Sequence, residues 1–146
     1  MKQFAVAILL VAAMTLAGCG SSNHNSGNIN GNWTAALQDA SGVPVFAFTT
    51  SLTAANSGSS VTVTNLNFTT NSCSFTAATE TASFVLSGNF NGNVSGSFQL
   101  ALSSGAPSDD TLTLNGTVNG NTISGSWTAT GTTSCATSGT FTMTKV

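Results

Sequence analysis

The chain has 146 residues and a formal net charge of −2, with two Lys, no Arg, four acidic residues and one His. Only 4% of it is charged, against roughly 25% in an ordinary soluble protein. That excludes nucleic-acid binding, which needs cations to neutralise phosphates, and it leaves a His base, a metal cluster or an Arg clamp almost nothing to be built from.

Met1-Lys2 is a short basic start, and Phe4 to Met14 is an unbroken apolar run. Such a run has the length of a signal-peptide core and falls short of the roughly 20 residues that span a bilayer. It ends in Leu16-Ala17-Gly18-Cys19. This tetrapeptide resembles the lipobox of bacterial lipoprotein precursors, in which small residues precede a Cys. The resemblance implies that the peptide is cut between Gly18 and Cys19, and that Cys19 carries a diacylglyceryl group on sulfur and an acyl group on its new amine. An export signal with an incidental Cys is the alternative. Two or more acyl chains anchor a protein stably where one holds it marginally. The residue after Cys19 is Gly20, where the family's inner-membrane retention signal carries Asp, so the resemblance places the anchor in the outer membrane.

Residues 19–30 are polar, poor in apolar side chains, and contain His24, the chain's one His. They read as a tether with a mean reach of roughly 18 Å, which leaves residues 31–146 as a single folded domain behind a cleaved signal at 1–18. With Cys19 committed to lipid, Cys73 and Cys135 remain as an even pair in an exported chain. A disulfide is the expectation there, worth roughly 4 kcal/mol on the chain-entropy estimate; two free buried thiols are the alternative.

The domain alternates with period two, the pattern of antiparallel strands that bury one face. Its early strands are read at Asn32–Gln38, Val45–Ala54, Ser60–Phe68 and Cys73–Ala78. In the third, the apolar side switches from Val61 and Val63 to Leu66 and Phe68, which predicts a bulge. The later strands place Phe84, Leu86, Gly88 and Phe90 on one face. Val94, Gly96, Phe98, Leu100 and Leu102 follow, then Leu112, Leu114, Gly116 and Val118, then Ile123, Gly125, Trp127 and Ala129, and last Phe141 and Met143. Asn91-Gly92 and Asn119-Gly120 sit between alternating runs as hairpin turns. They belong to an internal repeat, because Leu86-Ser87-Gly88-Asn89-Phe90-Asn91-Gly92-Asn93 is echoed by Leu114-Asn115-Gly116-Thr117-Val118-Asn119-Gly120-Asn121.

Eight or nine strands joined by short connections give an all-β meander. Long uncharged edges invite aggregation and are usually guarded by Lys or Pro; here there is only Lys145, and no Pro within a clear strand. An up-and-down barrel of about eight strands removes the edges by closure; a β-sandwich is the alternative. Gly31-Asn32-Trp33, opening the first strand, resembles the Gly-x-Trp motif of the calycin group (lipocalins, fatty-acid-binding proteins and avidins). The resemblance implies that Trp33 plugs one barrel end with a cation from the last strand packed across it, a part that Lys145 alone could take.

The folded domain has no His and only Lys145, so a nucleophilic Ser finds no base, and the chain is read as no enzyme, with no cofactor. Asp109-Asp110 lacks the further oxygens of a calcium site, and no metal site is expected. Trp33, Phe84, Phe90, Phe98, Trp127 and Phe141 are the inward aromatics, either as packed core or as the lining of an apolar pocket, since an eight-stranded barrel is just wide enough for either. Two functions are therefore expected. One is a lipid-anchored, non-enzymatic envelope protein holding a small apolar ligand. The other is a structural or adhesive surface lipoprotein making weak contacts with glycans or proteins.

Overall fold

In the computed structural model, residues 29–55, 59–90, 93–105, 110–131 and 136–146 are described, with the main chain alone for 88–90 and 93. Eight antiparallel strands follow one another: β1 (Gly31–Asp39), β2 (Pro44–Ala54), β3 (Ser60–Asn71), β4 (Thr79–Phe90), β5 (Asn93–Ser103), β6 (Thr111–Asn119), β7 (Thr122–Thr130) and β8 (Ser138–Lys145). Each pairs with its neighbours in sequence, and β8 returns to β1, so the sheet closes into a barrel. An up-and-down meander allows this with short connections, and closure removes the sheet margin wherever neighbouring strands pair along their length.

Alternation sets what faces inward. Trp33, Ala35 and Leu37 of β1 are buried between exposed neighbours, as are Phe141 and Met143 of β8. In β2, Phe46, Phe48, Thr50 and Leu52 are buried and alternate with half-buried Ala47, Thr49 and Ser51, while Val45 is buried as well. The expected bulge in β3 is present: Thr49 pairs with Asn67 and Ser51 with Thr64, so Asn65 and Leu66 together oppose Thr50. Asn65 takes φ 55 there, a left-handed conformation that Asn tolerates better than most residues. The buried Thr50 hydroxyl donates to the Thr64 carbonyl at 3.0 Å, which meets its hydrogen-bonding need locally.

Three expectations are corrected. Cys73–Ala78 is not a strand. Asn71 Nδ2 donates to the Phe75 carbonyl at 2.6 Å, Asn71 Oδ1 accepts from the Phe75 N–H at 2.9 Å, and Ser74 turns through φ 54. The Asn71 amide thus takes the main-chain bonds a neighbouring strand would have taken, and the segment folds as a cap. The second hairpin turns one residue later than its Asn-Gly dipeptide suggests: Asn119 pairs with Thr122, leaving Gly120-Asn121 as the loop with Gly120 at φ 59. That register sets buried Val118 opposite buried Ile123, and a slip would have opposed an apolar to a polar residue. Finally, Leu86 keeps the face of Phe84, opposite Gly96, but is not enclosed as core; it is 40% exposed. A register shift falls between Leu86 and Gly88.

The reason lies at the seam between β3 and β4. These strands pair only at Ser60↔Ser83 and Val61↔Ala82, with one further bond from the Phe84 N–H to the Ser59 carbonyl. Beyond it, β4 runs past the end of β3, and among the described residues its register pairs are with β5 alone. In the other direction β3 continues from Thr62 to Asn71 paired with β2 alone, its outer side approached by the cap that follows Asn71. The remaining seams have seven to eleven register pairs each. The barrel is closed, but at this seam by two residues per strand.

Candidate functional site

The inward aromatics gather as core. Trp33, Phe84, Phe98, Trp127 and Phe141 are all buried; the side chain of Phe90 lies outside the described part. The Trp127 indole N–H donates to the Gln38 carbonyl at 2.9 Å, and its ring meets Phe46 edge-on with centroids 5.5 Å apart. A Trp N–H is thereby satisfied inside an apolar interior, where leaving it unpaired would be costly. Rings occupy the space beside two inward glycines: a Cβ on Gly116 would stand 2.6 Å from Phe141 Cζ, and one on Gly96 would strike the Phe84 ring. The glycines are seats for rings.

Trp33 closes the barrel end where β1 begins. Its indole N–H donates to the Ile29 carbonyl at 2.8 Å, and Ile29 is itself buried. Lys145 is the register partner of Trp33 on β8, and its chain passes beside Gly31, where a Cβ would stand 2.9 Å from Lys145 Cε. At the opposite end lie Asp39, closing β1, Glu80, opening β4, and Asp110, just before β6. Asp39 caps its own turn, accepting from the N–H groups of Ser41 at 2.8 Å and Val43 at 2.9 Å. Asp110 is largely buried and packed against Gly131. Glu80 is exposed and makes no polar contact among the described residues. The described part of the molecule is therefore polarised, with its carboxylates at one end and its ammonium group at the other.

Two clefts of about 300 Å³ are lined wholly by described residues, and both open on the outer surface. The first is at the β3–β4 seam, formed by Leu66, Phe68, Phe75 and Ala77 with Asn67, Thr76 and Glu80 around them. From its lining a run of ring contacts leads into the core: Phe75 meets Phe68 edge-to-face at 6.0 Å, Phe68 meets Phe46 tilted at 6.1 Å, and Phe46 meets Trp127 edge-to-face at 5.5 Å. The second lies over the β3 bulge, where Asn32 Oδ1 accepts from the Ser51 hydroxyl at 2.7 Å with Asn65 and Thr49 beside them. Of the six aromatics singled out in the sequence, only Trp33 borders either cleft.

The seam cleft was missed by reading alternation alone. Phe46 and Phe48 carry that signal, but Phe75 sits in a cap held by Asn71, and Glu80 reaches the cleft only because β4 leaves β3. Cys73, in the same cap, is half-buried against the core and disulfide-bonded. Cys135 lies outside the described residues, as do Cys19 and the whole of 1–28. Among the described residues no three His, Cys, Asp or Glu side chains gather as metal ligands; Asp109 is outside them. Comparison with protein-family models, with curated proteins and with solved structures gives no match to this chain.

Proposed function

We propose that this chain is a lipid-anchored, non-enzymatic protein of the bacterial cell envelope whose barrel is a solid scaffold making contacts through its wall. The observation that carries the scaffold reading is the seating of the Phe84 and Phe141 rings in the space beside Gly96 and Gly116, where a guest would otherwise go. The anchor reading rests on the lipobox ending at Cys19. In this reading the tether leaves next to Ile29, so the Trp33 end faces the membrane and the carboxylate end points away. The bridge is taken to join Cys73 to Cys135, and non-reducing peptide mapping should recover those two segments linked.

Two measurements test the proposal. Cys19→Ala should leave the precursor uncleaved and unlabelled by radioactive fatty acid; normal cleavage and labelling would remove the anchor. Titration with fluorescent fatty acids and small aromatics should give no saturable signal. A second reading, a carrier of a small apolar molecule inside the barrel, is favoured by the pairing of Trp33 with Lys145, the arrangement a calycin-like barrel would have. Saturable uptake abolished by Trp127→Ala would decide for it.

A further inference from the structure

We infer that the free edge of β3 from Leu66 to Thr70, with the cleft beside it, receives an extended partner peptide as an added strand, one that alternates apolar with basic side chains. The inference rests on the wall-contact reading above and names the place and the chemistry of the contact.

The main chain supplies the first argument. β3 is twelve residues long, yet only Ser60 and Val61 have a partner in β4. A strand with one side unpaired presents a row of N–H and C=O groups that another strand satisfies best. Edges are usually guarded by charge, Pro or a bulge. Here Leu66-Asn67-Phe68-Thr69-Thr70 has neither charge nor Pro; its register against β2 shifts at Asn65–Leu66 and again at Thr69, which falls between the pairs Ala47↔Thr70 and Phe48↔Phe68. A bulge bends a strand without supplying a partner on its outer side, so Leu66–Phe68, between the two irregularities, stay unpaired on the side away from β2.

Side chains supply the second. Leu66 and Phe68 are half-buried and share the cleft with Phe75 and Ala77. A strand laid along β3 points every second side chain to the same face, so an apolar residue of the guest enters the cleft while its neighbours point away.

Charge supplies the third and decides what kind of peptide. Glu80 stands at the cleft, exposed and without a polar partner among the described residues. Asp39 and Asp110 share its end of the barrel, while Lys145 is at the other. The whole chain has only Lys2 and Lys145 as cations, so a second copy cannot bring a basic strand made from this domain's own edges. The occupant is a different protein, carrying Lys or Arg beside its apolar residues.

The test uses the full chain in non-ionic detergent and the fluorescein-labelled peptide Lys-Val-Lys-Phe-Lys-Val, read by anisotropy and by amide exchange. Saturable binding is expected, with exchange slowed at Leu66–Thr70. A peptide with Pro for both Val residues should bind at least about tenfold more weakly, because Pro removes main-chain donors. Glu80→Gln, an exposed change that leaves the fold intact, should weaken the parent peptide by about two- to fivefold, the range of an exposed charge pair. Equal binding of the Pro peptide, with both displaced by dodecyltrimethylammonium, would mean that the cleft takes amphiphiles and would overturn strand addition. Slowed exchange elsewhere, no effect of Glu80→Gln, or no binding would overturn it too. The fatty-acid titration reports on the scaffold reading separately: internal uptake together with peptide binding at β3 removes the solid scaffold and leaves this inference standing.

Discussion

The two copies of the internal repeat both fold into hairpins, closed by Phe90↔Asn93 in one and by Asn119↔Thr122, one residue further along the repeat, in the other, and they end in different environments. In the β6–β7 hairpin Leu114 is 0% exposed, and the register runs unbroken from Thr111↔Thr130 to Asn119↔Thr122. In the β4–β5 hairpin the matching Leu86 is 40% exposed and its neighbour Val85 is 55% exposed, with a register shift just beyond. The apolar pattern is the same in both copies, so alternation does not account for the difference. What differs is the strand outside each hairpin: β5 and β8 flank the second one along its length, whereas β3 leaves β4 after two pairs. A repeated motif specifies a hairpin; the neighbours decide which of its apolar residues become core.

Substitutions can break or sharpen that contrast. Trp127→Ala strikes the better-flanked hairpin hardest, removing the ring packed on Phe46 and the bond to Gln38. Urea unfolding should show a loss of about 3–5 kcal/mol. Leu114→Ala should cost about 2–5 kcal/mol, while Leu86→Ala, at the same place in the repeat, should cost less than about 1 kcal/mol, since its side chain is not enclosed. Equal costs for the two would break the comparison. Gly116→Ala should destabilise by about 1–3 kcal/mol, as the new methyl must displace the Phe141 ring. Asn71→Ala probes the open seam itself. It leaves the main chain of Phe75 without two hydrogen bonds, and a loss of about 1–3 kcal/mol should appear in the same assay. Smallest of all, Val85→Thr on the exposed face of β4 should stay within about 0.5 kcal/mol of the parent.

Much of this architecture was legible in the residues. Period-two alternation located the strands, the apolar switch after Val63 marked the bulge, and the scarcity of Lys and Pro in long strands argued for closure. The inward aromatics were read as core or lining, and the rings seated beside Gly96 and Gly116 favour core. The seam was not legible, for a physical reason. It depends on how β3 and β4 meet across the Asn71–Ala78 connection, where a side-chain amide does the work of a strand, and no periodicity reports that. The cleft inherits the same difficulty, because Leu66, Phe75 and Glu80 come from three segments with no common pattern. For Leu86 the pattern misled: alternation assigns a face, but a face is buried only where another element covers it.

Amide hydrogen exchange, resolved residue by residue, tests the unequal seam most directly. Local opening ranges from nearly free to the full cost of global unfolding, according to how many paired and packed neighbours an amide has. The paired amides of Leu112–Val118 and Ile123–Ala129 should exchange only on global unfolding. Those of β3 from Leu66 to Thr70 and of β4 from Val85 to Gly88 that face away from their single neighbour should exchange at least about a hundredfold faster. Protection at these edges equal to that of the β6–β7 hairpin would mean that β3 and β4 are zipped along their lengths, and it would contradict both the open seam and the contact assigned to it.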